Sequence, residues 1–306
     1  MRQSLEITTA IGCKNKCLYC PQDTFIKKYN AISEVDKLIL VDFKKLLAKI
    51  PSDVHLCFAG FSEPWSNPEC SKMISYAHQR GYNISVFTTT VGMGNFDIEL
   101  IKNIPFEEFV IHLPSNAENT KIKVNENYLK IIDELLNYKI SNLKFNCQIL
   151  AINENINKSL KKILNKHGID LTKILMKPIT RAGNIKLKGL REQKRRTEKL
   201  EKCMRLDGGL LLPNGDIIIC CMDYSLKHVL GNLYNNSFGE IINGKEACLI
   251  KRGLKNKKID ILCRYCEHAT QYKLRNNPLL EKYIYPHTTP TRKLLNSFYK
   301  KLKNNK

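Results

Sequence analysis

Short apolar runs and longer amphipathic stretches alternate from Leu5 to about Lys177. The β-rich runs are Leu5–Thr9, Val54–Phe58, Ile84–Thr88, Phe109–His112, Leu143–Ile149 and Ile174–Lys177. Between them lie helix-period stretches at Ser33–Lys49, Asn67–Arg80, Asp97–Asn103, Asn125–Asn137 and Ile156–His167. Strands that alternate with helices make right-handed βαβ units around a parallel sheet. Six such strands are too few to close an eight-stranded β/α barrel. The pattern therefore predicts an α/β fold: an open, partial (β/α)6 barrel of the TIM type, with its site at the C-terminal ends of the strands.

The pattern changes near residue 185. Lys186–Lys202 holds eight Lys or Arg and reads as a solvated linker helix. From Cys203 a small α+β unit follows. Gly209–Leu212 and Ile217–Cys221 flank Pro213-Asn214-Gly215-Asp216, and Asn-Gly between two apolar runs signals a hairpin. A helix is expected around Ser237–Lys251, and Thr291–Lys306 reads as a basic amphipathic segment or a disordered one. The organisation expected is a barrel over 1–185, a charged linker over 186–202, the small unit over 203–270 and a basic tail over 271–306.

A chain of 306 residues with 43% apolar content can bury the cores of one large and one small domain. No run reaches the roughly 18 apolar residues of a membrane span. Met1–Glu6 has no apolar signal-peptide region, so a cytoplasmic location is expected. The net charge of +21 comes from lysines spread through a Lys-, Asn- and Ile-rich chain. That spread does not point to nucleic acid, although a basic tail suits peripheral contact with an anionic membrane. The cysteines change the picture more. There are twelve of them, and a reducing compartment makes metal or cluster ligation a better reading than disulfides.

Cys13, Cys17 and Cys20 follow the first strand with C-x3-C-x2-C spacing. Three thiolates on one loop can hold three irons of a [4Fe–4S] cube and leave the fourth iron open to a small molecule. A zinc site with a distant fourth ligand is the alternative, but zinc sites favour paired C-x2-C units. Cys203, Cys220, Cys263 and Cys266 form a second set that would complete another cube, or a structural zinc site. Either Cys220 or its neighbour Cys221 would serve there; the spacing from Gly215 favours Cys220. The isolated Cys57 and Cys147 read as core residues within strands.

The first trio resembles the radical S-adenosylmethionine (SAM) superfamily. In that family the open iron chelates SAM, and cleavage of SAM makes a 5′-deoxyadenosyl radical that takes hydrogen from the substrate. Further residues fit the resemblance. Tyr19 stands where the family places a residue near the adenine. Gly60-Phe61-Ser62-Glu63-Pro64 is similar to the family's "GGEP" segment, with Ser62 in place of the second glycine. Its glutamate would meet the SAM ammonium through a charge-assisted bond. Thr88-Thr89-Thr90 loosely matches the Thr-Asn-Gly strand end, and Arg181-Ala182-Gly183 looks like an "RxG" whose arginine meets the SAM carboxylate or the substrate. Residues 203–270 resemble the SPASM/twitch extension: Pro213-Asn214-Gly215 with Cys220-Cys221-Met222-Asp223, then Gly231-Asn232-Leu233 and Glu240-Ile241. No cysteine follows Cys266, which suits the one-cluster twitch form.

The resemblance implies two [4Fe–4S] clusters and SAM as cofactors, and a flavodoxin- or ferredoxin-type electron donor. One auxiliary cluster suits dehydrogenation of a hydroxylated carbon, because the cluster can receive an electron. Carbohydrate epimerases and peptide maturases share the architecture. Only a few residues precede the first strand, which leaves no room for the N-terminal peptide-binding domain of the maturases. A small sugar- or cyclitol-like substrate is therefore expected. Asp223, Arg181 and His112 are candidate catalytic groups, and His268 reads as a peripheral one. An RNA-modifying enzyme and a non-catalytic iron–sulfur or zinc protein are the other classes.

Overall fold

A computed structural model of the chain describes residues 3–114, 119–138, 145–150, 156–176, 178–186, 190, 194–200, 203, 206 and 208–269. Six parallel strands run in sequence order: β1 (Ser4–Ile7), β2 (His55–Phe58), β3 (Ile84–Thr88), β4 (Glu108–Leu113), β5 (Phe145–Leu150) and β6 (Leu175–Met176). This is the open half-barrel that the alternation predicts. The C-terminal unit is not a separate sheet. Its strand β7 (Gly209–Leu211) pairs parallel with β1, then β8 (Asp216–Ile218) and β9 (Val229–Asn232) add antiparallel. One nine-stranded sheet results, in the order β6-β5-β4-β3-β2-β1-β7-β8-β9.

The period-2 pattern assigns the two faces. Leu5, Ile7, Leu56, Phe58, Val86, Phe109 and Ile111 pack into the main core under the helices. The register Glu6↔Cys57↔Ser85↔Glu108 leaves those residues, with Phe87 and His112, on the opposite, concave face. The outer helices are α1 (Gln22–Asn30), α2 (Leu40–Leu47), α3 (Cys70–Gln79), α4 (Asn95–Ile101), α5 (Glu126–Tyr138), α6 (Lys158–Lys166) and the single turn α7 (Leu171–Ile174). Among the described residues no helix is long and apolar enough to cross a membrane.

Several expectations change. Ser33–Lys49 is not one helix: Ile11 donates to Asp36 O and Ala10 bridges Lys37, which holds this stretch extended until Leu40. α1 has no sequence-level counterpart, since Phe25 and Tyr29 are its main apolar anchors. The Ser237–Lys251 helix is two, α8 (Phe238–Ile242) and α9 (Lys245–Lys255). Ser237 and Glu240 form a capping box that starts α8. Asn243 then closes it by donating to Gly239 O at 3.0 Å. Of the proposed linker helix, residues 194–200 are non-helical and docked rather than solvated. Leu200 is fully buried and its N–H donates to Leu254 O. The basic tail at 271–306 and the side chain of Cys147 lie outside what is described.

Candidate functional site: two cysteine sets on one sheet

The loop after β1 carries Cys13, Cys17 and Cys20. Gly12 (φ 83°) and Lys16 (φ 44°) turn it through left-handed conformations. The segment after β4 clasps it. Leu18 N donates to Asn119 O, Lys121 N to Asn15 O, and Thr120 Oγ1 to Asn15 O. Each sulfur is in contact with its surroundings. Cys17 Sγ lies 3.7 Å from Thr120 Oγ1, and Tyr19 is buried against it. Gln22 Nε2 donates to Cys20 Sγ at 3.4 Å. Burial pushes the Cys13 thiol up to about 12 and raises Cys17. Such thiols stay neutral unless a cation compensates them, as the iron of a cluster does.

Behind the trio, the end of β2 delivers Gly60-Phe61-Ser62-Glu63-Pro64. Gly60 has φ +85°, and a Cβ there would meet Thr8 Oγ1 at 2.2 Å. Phe61 N donates to that same hydroxyl at 3.1 Å. Only glycine lets the segment cross β1 so closely. Ser62, half-buried, points its hydroxyl at the Glu63 carbonyl. Glu63 itself is buried and reaches across to the end of β3. It accepts bonds from the Thr88 hydroxyl, from Thr89 N and Thr89 Oγ1 at 2.6 Å each, and from Trp65 N. Burial pushes its carboxyl above the ordinary range. Among the described residues its hydrogen-bond partners are all neutral donors, so none of them balances the carboxylate's charge. A SAM ammonium fits that need. Thr88 and Thr89 are therefore the hydrogen-bonded seat of Glu63 at the strand end, and Thr90 N donates to the Thr88 hydroxyl.

Arg181 follows β6 in a left-handed turn (φ 53°) and lies near the trio; burial raises the Cys17, Tyr19 and Tyr224 groups, and the Arg181 charge offsets part of that rise. His112 stands half-buried on the concave face, its ring 6.0 Å from that of Phe87. Asp223 does not act there. It is fully buried, and Ser225 Oγ, Lys227 N and His228 N all donate to its carboxylate. It ties its own loop. His268 is half-buried beyond the last cysteine.

The second set is equally ordered. Cys203, Cys220, Cys263 and Cys266 line one cavity, whose other walls are apolar and include Ile219, Met222 and Leu262. Among the described residues no three His, Cys, Asp or Glu converge on a point suited to a single ion; these four thiols surround a volume. Burial and then mutual repulsion raise Cys220. Burial likewise raises Cys263. Four crowded thiols in an apolar chamber fit a cationic iron–sulfur core. Cys221 points elsewhere: its Sγ lies 3.4 Å from Glu6 Oε1.

Three contacts escape a reading of motifs. Tyr224 places its hydroxyl 3.5 Å from Cys20 Sγ, directly linking the hairpin loop of the second set to the first. Its ring packs on Phe61, and Phe61 on Phe25. Glu267 holds the turn that carries Arg181. Arg264 is buried between Cys263 and Cys266 and donates to the carbonyls of Arg196, Glu198, Gly253 and Leu254. The only signal for these in the chain is nearness to a cysteine.

Comparison with known proteins agrees with this architecture. Residues 203–267 match the SPASM family, an iron–sulfur cluster-binding domain. No curated protein matches. Several solved structures share the fold. One is BtrN in complex with AdoMet and 2-DOIA, with TM-score 0.54 and 13% identity, covering 83% of this chain and 87% of that one. Another is Streptococcus suis SuiB bound to precursor peptide SuiA, with TM-score 0.56 and 12% identity over 91% of this chain and 74% of that one. A third is anSMEcpe with bound AdoMet, with TM-score 0.56 and 12% identity over 92% and 88%. The chain therefore shares the fold of these solved structures, and its residues 203–267 are similar to the SPASM iron–sulfur cluster-binding domain.

Proposed function

We propose that the chain is a radical SAM oxidoreductase that dehydrogenates a small polar, sugar- or cyclitol-like molecule. The concave sheet face carries the reading. It presents Glu6, Ser85, Glu108 and His112 among Cys57, Phe87 and Val110, whereas the other face packs apolar residues into the core. Such a surface suits a hydroxylated ligand. The likeness to BtrN, whose structure holds AdoMet and 2-DOIA, supports a small ligand; the likeness to SuiB with its precursor peptide supports a peptide.

Cys13, Cys17 and Cys20 would hold one [4Fe–4S] cluster, and Cys203, Cys220, Cys263 and Cys266 the other. When bound, the first cluster with SAM supplies a 5′-deoxyadenosyl radical for hydrogen abstraction, and the second supplies an electron acceptor. Glu63 binds the SAM ammonium, and Arg181 binds its carboxylate as a planar, bidentate donor. Tyr19 shields the trio from water. An alcohol carbon that has lost one hydrogen atom becomes a ketone by releasing a proton and an electron. We assign the uptake of that proton to His112 or Glu6 on the concave face. A flavodoxin- or ferredoxin-type protein would deliver the starting electron.

Anaerobic assay of the reconstituted protein for 5′-deoxyadenosine release, with hydroxylated small molecules and with peptides, tests this. Turnover stimulated only by peptides would overturn the small-molecule reading. One observation favours a second reading, epimerisation: the Cys221 thiol reaches Glu6 on the concave face, where it could return hydrogen to substrate. In D2O that reaction places deuterium on carbon in recovered product, whereas dehydrogenation leaves a carbonyl.

A further inference from the structure

The turn that presents Arg181 is conformationally expensive. Arg181 (φ 53°) and Ala182 (φ 58°) are consecutive L-residues in the left-handed region, followed by Gly183 (φ 82°). L-residues adopt that region in succession only when their surroundings hold them there. Here a carboxylate holds the turn, beside the backbone bonds from Asn184 N to Arg181 O at 3.2 Å and from Ile185 N to Thr180 O at 2.9 Å. Glu267 Oε1 accepts from Thr180 N at 2.5 Å and from the Thr180 hydroxyl, and Oε2 accepts from Ala182 N at 3.1 Å. Glu267 directly follows Cys266, the last cysteine of the second set. Asn184 adds a tie to the hairpin, donating to Arg181 O at 2.6 Å and to Met222 O at 3.1 Å.

We infer that Glu267 is a positioning residue: by clamping the Thr180–Gly183 turn it aims Arg181 at the first cysteine set, so the loop that completes the second set governs SAM affinity at the first. Released from the carboxylate, the turn relaxes toward ordinary backbone angles and the guanidinium leaves the mouth of the barrel. The clamp thereby couples the two sites through bonds of the protein alone. The inference rests on the reading that SAM binds beside Cys13, Cys17 and Cys20.

Calorimetric titration of SAM into the anaerobically reconstituted full chain, without reductant, tests it. Iron content and the cluster EPR signal are measured on the same samples. Glu267→Gln places an amide N–H against the donors it must accept from. It should weaken SAM binding about tenfold, the effect of losing a charge-assisted bond, with iron unchanged. Arg181→Ala should weaken binding by itself, and adding Glu267→Gln to it should change affinity by less than about twofold, since both act through one group. Thr180→Val removes the hydroxyl that donates to Glu267 and accepts from Gly183 N at 3.1 Å, without touching the cysteine loop. It should also weaken binding, and it decides the matter if Glu267→Gln loses iron. Unchanged affinity in an iron-replete Glu267→Gln or Thr180→Val protein overturns the inference. So does an equal further loss in the Arg181→Ala background. Failure of the wild type to bind SAM would instead overturn the cofactor reading itself, and this one with it.

Discussion

Single residues at the barrel mouth do work that their neighbours cannot share. Glu63 is a buried carboxylate seated on Thr88, Thr89 and Trp65, none of which carries charge. Glu63→Gln keeps the shape and removes the charge. SAM binding should fall about tenfold to a hundredfold, and the amide N–H set against a Thr88, Thr89 or Trp65 donor should lower stability by about 1–3 kcal/mol as well; equal affinity in calorimetry would take Glu63 out of the cofactor site. Gly60 makes a different demand, for space and for a left-handed φ. Gly60→Ala forces a methyl into Thr8 Oγ1 and should cost about 2 kcal/mol or more, read as a lower urea midpoint. Tyr224 is a third case. Burial holds its phenol well above the ordinary range, so it stays protonated and can donate to Cys20. Tyr224→Phe should leave the fold and iron content intact and shift the midpoint potential of the first cluster downward, because a hydrogen bond to a ligand sulfur stabilises the reduced state. Spectroelectrochemistry with an unchanged potential would show that the hydroxyl does not reach the ligand.

At the level of elements, the strands were legible because period-2 runs of Ile, Val, Phe and Leu are flanked by turn residues. β3 matches its sequence run end to end, and β2 and β4 match within a residue. Helices were legible as regions and not as boundaries. Ser33–Asp36 looked helical by apolar spacing, yet the backbone there bonds back to Ala10 and Ile11, a long-range choice that no local pattern encodes. β9 was missed because Val229–Asn232 is short and ends in Gly-Asn, which reads as a turn. The cysteines group in the sequence, and the fold brings Cys203, Cys220, Cys263 and Cys266 to one cavity. Asp223 shows the opposite: beside a cysteine it looks catalytic, but its own loop consumes its carboxylate. What the chain hid most fully is the β7–β1 pairing. Gly208 marks it, since a Cβ there would fall 1.5 Å from Ser4 O. Gly208→Ala should therefore destabilise the protein severely in thermal unfolding. Gly239→Ala, in open space within α8, should be neutral or stabilising by about 0.5–1 kcal/mol. Equal effects of the two would refute the close strand approach.

For the whole molecule, the two cysteine sets predict an iron inventory. Reconstituted protein should hold about eight irons, and Cys263→Ala with Cys266→Ala about four, with the remaining signal that of the SAM-responsive cluster. Zinc in place of the lost iron would make the second set a structural zinc site. The two sets are also joined physically, through Tyr224 to Cys20 and through Glu267 to the Arg181 turn.

Because β7 lies flush against β1, the sheet has no seam at which the C-terminal portion could be cut away. Severing it would strip both partners of hydrogen bonds and expose a raw strand on each fragment, an invitation to aggregate. The spacing of the two cysteine sets is consequently tied, among the described residues, to the strand ladder. Grafting this extension onto another barrel would mean transplanting a matching first strand as well.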